Sequence, residues 1–212
     1  MPNTKRAEIS SSVIKRLPRY YRFIGELIKK GTVRISSGEL AKRMSLTASQ
    51  IRQDLNCFGG FGQQGYGYNL IELQSEIGKI LGVSMGYKTV LIGAGNLGKA
   101  IATHMNFTDH GCDLIAIFDS DLRKANENVA GIHVKPMKEL NEFFEHEKPV
   151  IAILCIPRSA AQELADKLIS LGVKAFWNFS HYDLSVNHSD IIVQNVHLGD
   201  SLMMLSYGVT NS

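Results

Sequence analysis

The sequence predicts an α/β protein with a small, mostly helical N-terminal domain, a doubly wound and mostly parallel sheet after it, and a C-terminal helix. Three observations predict this class. Apolar residues recur at helical spacing through the first 84 residues, short β-rich runs alternate with helical stretches after them, and a glycine-rich turn directly follows the first of those runs. We therefore expect domains at residues 1–84 and 85–196, and a terminal helix at residues 197–212.

Charge is divided unevenly between these parts. Residues 1–84 hold 13 Lys and Arg against 6 Asp and Glu, whereas the remainder holds 10 against 14, so the net charges are +7 and −4. A basic domain favours a polyanionic partner. The three cysteines are far apart and have no histidine at zinc-ligand spacing, so neither disulfides nor a metal site is expected. No stretch approaches the ~18 apolar residues of a membrane span, and no signal peptide is recognisable, so we expect a cytoplasmic protein.

Helix signals predict a helix-turn-helix in the basic domain. An apolar stripe at spacings of three and four predicts a first helix over about residues 10–30. Ser36 and Thr47 each stand three residues before a Glu or Gln, which is the pattern of a capping box, and so predict short helices at about residues 37–43 and 48–56. In this arrangement the second short helix enters the major groove of DNA.

The outward side chains of that second short helix are expected to be polar. With Ile51 and Leu55 facing the core, the outward residues are Ser49, Gln50, Arg52, Gln53 and Asn56. Gln pairs with adenine and Arg with guanine in bidentate fashion, while other polar groups hold phosphates. The alternative is a short polar helix that is merely solvated.

Residues 58–68 alternate five glycines with aromatic residues. Such a segment forms a tight hairpin whose backbone approaches another backbone closely, which predicts the wing of a winged helix laid along DNA. A flexible linker is the alternative, although linkers are seldom so aromatic. The complete set of residues expected to contact DNA is Arg16, Ser37, Ser49, Gln50, Arg52, Gln53, Gln64 and Gly65.

A dinucleotide-binding fingerprint opens the second domain. Residues 87–92 are a β-rich run that leads into Gly93-Ala94-Gly95-Asn96-Leu97-Gly98 and then a helical stretch. In this Rossmann-type context the glycines allow a tight turn, admit a pyrophosphate and pack helix on strand, and the helix N-terminus faces the phosphates. Asp119 ends the second β-rich run, 21 residues after Gly98, where its carboxylate can accept both ribose hydroxyls and so favours NAD over NADP. The residues expected to bind NAD(H) are Gly93, Ala94, Gly95, Asn96, Leu97, Gly98, Asp119, Ile156, Pro157 and Asn178.

Leu198, Leu202, Leu205 and Val209 mark a final amphipathic helix. Such a helix either packs on its own domain or exchanges with a partner subunit. The pattern alone does not distinguish the two arrangements.

Several motifs occur together and in a fixed order along nearly the whole chain. They are Arg16-Leu17-Pro18, Tyr20-Tyr21-Arg22, Arg34-Ile35-Ser36-Ser37, Gln50-Ile51-Arg52, the glycine-aromatic segment, Gly93 to Gly98, Phe118-Asp119, Ala160-Ala161-Gln162 and Asn178-Phe179. With these motifs the chain resembles the Rex family of redox-sensing repressors. The resemblance implies a non-enzymatic homodimer with swapped C-terminal helices that binds inverted-repeat operators and is released by NADH.

Four positions depart from the pattern of that family. Gln53 stands where the family usually has Lys, and Gln64 where it has Arg, so weaker and less salt-dependent DNA binding is expected. The resemblance implies a redox switch made by a Tyr and by an Asp that can pair with Arg16, but this chain has His104 and His197 at those positions. We therefore expect Arg16, His104 and His197 to be the switch residues and the response to NADH to be weakened or lost.

Two other functions fit parts of the sequence. An NAD-dependent dehydrogenase would use the same glycine motif, but only a few tens of residues follow the predicted sheet, which leaves no substrate domain, and no set of catalytic residues can be assigned. A repressor of the same architecture could instead hold coenzyme A or another nucleotide, or no ligand, because the fold alone does not fix the ligand.

Overall fold

The computed structural model describes residues 9–59, 62–63 and 66–211. The chain forms two compact units, Met1–Ser84 and Met85–Ser212. Each unit has its own hydrophobic core. None of the helices among the described residues is long and apolar enough to span a membrane.

Four helices and three short strands make up the described part of the first unit. The helices are α1 (Ser11–Lys29), α2 (Ser37–Met44), α3 (Ala48–Asn56) and α4 (Leu70–Leu81), and the strands are β1 (Arg34–Ile35), β2 (Gly62–Gln63) and β3 (Gly67–Asn69). The strands form an antiparallel sheet in the order β1-β3-β2. The expected helix-turn-helix and hairpin are therefore both present, and together they form a winged helix.

Local sequence signals explain the boundaries of α2 and α3. The hydroxyls of Ser36 and Thr47 accept hydrogen bonds of 3.1 Å from the backbone N–H groups three residues later, which satisfies an otherwise unpaired donor in each first turn. Between the two helices Ser45 adopts a left-handed conformation, with φ of 54°. Ile51 and Leu55 of α3 pack into a core with residues of α1, α2 and α4.

Gly67 at the start of β3 shows why the hairpin needs glycine. Its φ is +70°, which L side chains rarely adopt, and an added Cβ would lie 2.5 Å from the carbonyl oxygen of Ile35 on the neighbouring strand. A side chain at this position would therefore separate β3 from β1.

The described part of the second unit is a sheet of seven strands flanked by helices. The strands are β4 (Tyr87–Ile92), β5 (Cys112–Asp119), β6 (Asn128–Val129), β7 (Ile132–Pro136), β8 (Ile151–Leu154), β9 (Ala175–Asn178) and β10 (Ile192–Asn195), in the order β10-β9-β8-β4-β5-β7-β6. Every neighbouring pair is parallel except β6 with β7. The helices are α5 (Asn96–His104), α6 (Leu140–Glu147), α7 (Arg158–Ser170) and α8 (Leu198–Thr210).

Side chains of β4 alternate between two cores on opposite faces of this sheet. Val90 and Ile92 pack with residues of α6 and α7, whereas Leu91 packs with Ala102 of α5. The sheet is therefore doubly wound, as the sequence predicts. Since β4 lies between β5 and β8, the strand order reverses beside β4, and in such sheets the crevice at this reversal is the usual ligand site.

Sequence patterns also predict β8, β9 and β10, at about residues 150–156, 173–179 and 191–196, and α7, at about residues 159–171, but three strands and α-helices of this unit are not predicted. They are β6, β7 and α6, which together occupy most of residues 128–147. The two strands contain only two and five residues, and α6 contains eight, so none of them gives a strong periodic signal.

Helix α8 has no buried residue in the single chain. Leu202, Leu205 and Val209 are 63%, 64% and 72% exposed. An apolar stripe of this kind is unfavourable in water unless another surface covers it. Packing of α8 on its own domain, one of the two arrangements left open by the sequence, is not observed.

We expect that deleting residues 199–212 yields monomers or aggregates, because the surface that we expect the stripe to cover on a partner subunit is then exposed. Sedimentation velocity of the full chain and the truncated chain measures this. A chain lacking only residues 211–212 is the matched control, since it retains all of α8. A well-behaved dimer after the longer deletion would show that α8 does not hold the subunits together.

Candidate functional site

The exposed face of α3 carries polar side chains that the sequence predicts to contact DNA. Ser49, Arg52, Gln53 and Asn56 are exposed and line a shallow depression on this helix. Arg52 Nη1 donates a hydrogen bond of 2.9 Å to the Ser37 hydroxyl, which connects α3 to the first turn of α2. These side chains therefore form one continuous polar surface on the helix pair.

A fully buried carboxylate lies beneath the same helix. Asp54 on α3 accepts four hydrogen bonds: from Arg16 Nε at 2.6 Å, Arg16 Nη2 at 2.7 Å, the Tyr20 hydroxyl at 2.7 Å and Gln50 Nε2 at 2.8 Å. The guanidinium of Arg16 thus binds both carboxylate oxygens, which is the strongest geometry for such a pair. We call Arg16, Tyr20, Gln50 and Asp54 the Asp54 cluster.

The cluster shifts the protonation equilibria of its members. Burial alone would raise the pKa of Asp54, but hydrogen bonds from Arg16, Tyr20 and Gln50 hold this pKa below its ordinary value. Burial, and then the hydrogen bond to Asp54, raises the pKa of the Tyr20 phenol. The hydrogen bond to Asp54 also raises the pKa of Arg16. Asp54 is therefore ionised at neutral pH and Tyr20 is neutral.

This cluster changes the interpretation of two sequence-predicted residues. Arg16, expected to contact DNA and to act in a switch, is paired with Asp54, and Gln50 is half-buried with its amide nitrogen on the same carboxylate. The sequence analysis missed Asp54 itself. The available signal was its spacing, since an acidic residue three positions after Ile51 lies on the buried face of α3.

Two predicted DNA contacts, Gln64 and Gly65, lie outside the described residues. Next to them, Tyr66 is exposed, and its carbonyl oxygen accepts a hydrogen bond of 3.4 Å from Arg34 Nη1.

In the second unit a cavity of about 550 Å³ lies at the carboxyl ends of β4, β5 and β8. This volume is within the usual range for small-molecule sites. The sequence-predicted residues in its wall are Gly93, Gly95, Asp119, Ile156 and Pro157, and Lys124, Met137, Glu163 and Lys167 are among those that were not predicted.

The three glycines of the fingerprint have different roles. A Cβ on Gly93 would clash with the Cys155 carbonyl, and a Cβ on Gly98 would clash with the Gly93 carbonyl, so both glycines are required by packing. Gly95 has no atom within 4 Å of its would-be Cβ and lines the cavity. It stands immediately before α5, where backbone N–H groups attract anions. This open edge fits a pyrophosphate.

Asp119 presents a charged acceptor at the cavity wall. Its carboxylate accepts hydrogen bonds from the Ala94 N–H at 2.7 Å, the Asp121 N–H at 2.8 Å and Lys124 Nζ at 2.9 Å. Burial would raise the pKa of Asp119, but these hydrogen bonds lower it, so the group is ionised at neutral pH. An ionised carboxylate suits ribose hydroxyls, and the residues of this cavity therefore fit an adenine dinucleotide.

Four other residues predicted to bind the cofactor have different surroundings. Asn178 is fully buried and its amide bonds to Ser180, Tyr182 and Asn195, so it fastens loops of the sheet rather than presenting a free group. Asn96 and Leu97 are exposed on the first turn of α5. Ala94 is fully buried and contributes its N–H to Asp119.

The two histidines of the predicted switch lie at helix termini. His104 is the exposed last residue of α5. His197 directly precedes α8, and its Nδ1 lies 3.2 Å from His181 Nδ1. Among the described residues, no group of three or more His, Cys, Asp or Glu side chains could hold a metal ion.

Comparisons with known proteins agree with both surfaces. Residues 8–56 match a family described as "Putative DNA-binding protein N-terminus", and residues 84–182 match one described as "CoA binding domain". The chain is 50% identical over 204 residues to the redox-sensing transcriptional repressor Rex of Thermoanaerobacter pseudethanolicus, covering 96% of this chain and 91% of the relative. It is 48% identical over 203 residues to the protein of the same name from Clostridium perfringens strain SM101, covering 96% and 95%.

Solved structures are similar over the same length. A crystal structure of RSP in complex with β-NAD⁺ and operator DNA has a TM-score of 0.90 and 49% identity, covering 97% of this chain and 94% of that one. A structure of RSP with β-NADH has a TM-score of 0.88 and 46% identity, covering 97% and 96%.

We expect Gly95→Val to abolish binding of NAD(H) without unfolding the second unit. Gly95 has φ of −78° and ψ of −173°, an extended conformation that suits valine, and its Cβ would meet open space, so the added side chain occupies only the cavity. Calorimetric titration measures the affinity, and thermal unfolding without ligand is the control. Unchanged affinity for NAD(H) would contradict the assignment of this cavity.

The lowered pKa of Asp54 predicts loss of stability in acid. A carboxyl group whose pKa is lower in the folded state contributes stability above its unfolded pKa, about 3.9, and loses that contribution as the pH falls through the folded value. Urea unfolding followed by far-UV circular dichroism between pH 7 and pH 2 measures this. Asp54→Asn should be less stable than wild type at pH 7 and should change less in acid, whereas Glu39→Gln, at an exposed site, should retain the wild-type profile.

Proposed function

Because the chain belongs to the Rex family of redox-sensing transcriptional repressors, we propose that it binds inverted-repeat operator DNA as a homodimer and that NAD(H) binding controls this activity. As a member of this family it is a repressor and not an enzyme. It acts in the cytoplasm, whose reducing conditions suit its three free cysteines.

This proposal rests on the presence, in one chain, of a polar recognition helix and of a cavity suited to a dinucleotide. The first unit is a winged helix whose α3 exposes Ser49, Arg52 and Gln53, residues able to contact bases and phosphates. The second unit has an open glycine edge and an ionised Asp119 in one cavity. RSP, which is similar over nearly the whole chain, has been solved with NAD⁺ and operator DNA.

A matched pair of DNA-binding titrations tests the proposal. The full chain is titrated onto the duplex that it enriches from a random-sequence library and onto a scrambled duplex, first alone and then with NAD⁺ or NADH. We expect selective binding to the enriched duplex. If no sequence is enriched, the proposed DNA-binding function is wrong.

The replacement of an expected Tyr and Asp by His104 and His197 leads us to propose a weakened redox response. In addition, Arg16 is hydrogen-bonded to Asp54 and so is less available to a switch partner. We expect NADH and NAD⁺ to differ by less than about tenfold, ~1.4 kcal/mol, in their effect on operator affinity. A larger, NADH-specific release in the same titrations would show that these two histidines do not weaken the switch.

A second candidate ligand is coenzyme A, because residues 84–182 match a family described as "CoA binding domain". The cavity residues do not strongly favour NAD(H) over coenzyme A, since Lys124 next to Asp119 can neutralise part of the charge of an added phosphate. Calorimetry with coenzyme A beside NAD(H) separates the two ligands. Tighter binding of coenzyme A would replace the redox cofactor in this proposal.

We expect Arg52→Ala to weaken operator binding by ~1–3 kcal/mol and to relax the preference at one base pair, because Arg52 is exposed on α3, where one of its N–H groups donates to the Ser37 hydroxyl. Affinities for duplexes that vary one base pair at a time measure this. Lys79→Ala is the charge-matched control, since it removes one positive charge from α4 of the same unit. An equal loss on operator and random DNA would identify Arg52 as a phosphate contact instead.

A further inference from the structure

The Asp54 cluster fixes the orientation of one side chain on the recognition helix. Gln50 lies one helical turn before Asp54 on α3, and its Nε2 donates a hydrogen bond of 2.8 Å to Asp54 Oδ1. An ionised carboxylate only accepts hydrogen bonds. If the amide of Gln50 were rotated by 180°, its Oε1 would face that carboxylate and the two acceptors would repel each other. Only one orientation of the Gln50 amide is therefore favourable.

Asp54 cannot turn away to relieve this constraint. Arg16 Nε and the Tyr20 hydroxyl both donate to Oδ2, and Arg16 Nη2 donates to Oδ1 beside Gln50. The carboxylate is fully buried, so loss of any of these bonds would leave a buried charge poorly compensated. Its orientation is thus determined by α1, and the orientation of Gln50 follows from it.

Once the Gln50 amide is bonded to Asp54, the groups that it can still offer to DNA are defined. Gln50 Nε2 carries two hydrogens and uses one on Asp54, so the remaining groups are one N–H donor and the Oε1 acceptor. In the major groove adenine offers an N6–H donor beside the N7 acceptor, whereas guanine offers two acceptors, O6 and N7. The remaining groups of Gln50 complement adenine and not guanine.

We propose that Asp54 is a positioning residue for sequence recognition, which orients the Gln50 amide so that α3 selects adenine over guanine at one operator base pair. This inference rests on the proposed DNA-binding function. Asp54 itself does not touch DNA in this role, because it is buried beneath the helix.

The sharpest variant is Asp54→Asn, which replaces one acceptor of the carboxylate by a donor. Arg16 donates to both carboxylate oxygens, so in either orientation of the Asn amide its nitrogen meets one Arg16 N–H, and the variant no longer imposes a single orientation on Gln50. When the Asn nitrogen faces Gln50, Gln50 rotates to accept through Oε1 and presents both Nε2 hydrogens outward. Two donors complement guanine, so the preference for adenine over guanine at this base pair should fall several-fold.

Selection from a random-sequence duplex library measures the shift for the full chain and its variants. Gln50→Ala identifies the base pair, since that position should lose its preference. In the double variant Asp54→Asn/Gln50→Ala, the substitution at Asp54 should have no further effect on the preference there. Tyr20→Phe is the matched control: it removes a donor from Asp54 Oδ2 but not the contact with Gln50, so it should reduce stability and retain adenine.

A second measurement uses wild-type protein on modified duplexes, so it does not depend on the folding of any Asp54 variant. At the base pair identified, adenine is replaced by purine, which lacks the N6 amino group, or by 7-deazaadenine, which lacks the N7 acceptor. Both replacements should lower affinity several-fold, because the fixed amide uses one donor and one acceptor. If removal of the N6 amino group has no effect, Gln50 does not present its acceptor and the proposal is wrong.

The remaining outcomes are also decisive. Asp54→Leu leaves no group that orients the Gln50 amide, so a folded Asp54→Leu protein that keeps the full preference for adenine, or a shift in Asp54→Asn that persists after Gln50→Ala, would overturn the positioning role while leaving the DNA-binding function intact. If wild-type protein enriches no sequence, the proposed function itself fails, and the positioning role fails with it.

Discussion

The buried carboxylate of Asp54 is the interaction on which the first unit depends. Arg16 and Tyr20 belong to α1, whereas Gln50 and Asp54 belong to α3, so four hydrogen bonds to one charge connect the scaffold helix with the recognition helix. A buried charge is costly unless it is fully hydrogen-bonded. Because all four hydrogen bonds to Asp54 must form together, only a few arrangements of α1 and α3 are favourable. The position of the exposed face of α3 therefore follows from a carboxylate that is itself fully buried.

In the glycine turn of the second unit, some glycines are required by packing and another by the ligand cavity. Gly93 and Gly98 are glycines because backbone atoms lie where a Cβ would be, and Gly95 is different because it faces an open cavity. Asp119 has a similar double role. Through the Ala94 N–H it ties the glycine turn to the end of β5, and Lys124 balances its charge at the cavity wall. The site is thus held in shape by the same hydrogen bonds that keep its acceptor ionised.

Helix α8 exposes an apolar surface of the kind that packs against a partner. The two cores of the second unit bury apolar residues on both faces of the sheet. On α8 the apolar residues instead remain exposed over the whole helix. Hydrophobic burial is favourable wherever it occurs, so we expect the second subunit of the proposed dimer to cover these residues.

The sequence by itself determined the winged helix, the doubly wound sheet, the caps at Ser36 and Thr47, and the roles of Gly95 and Asp119 as cavity residues. These features depend on periodicity, capping and turn residues, which are properties of short segments. Only the tertiary structure decided that Arg16 pairs with Asp54, 38 residues away, and that Asn178 is used to fasten loops. It also decided the positions of Lys124 and of the short elements β6, β7 and α6. The physical reason is that partners distant in sequence are chosen by packing, and a local pattern shows which side chains can form hydrogen bonds but not which groups meet them.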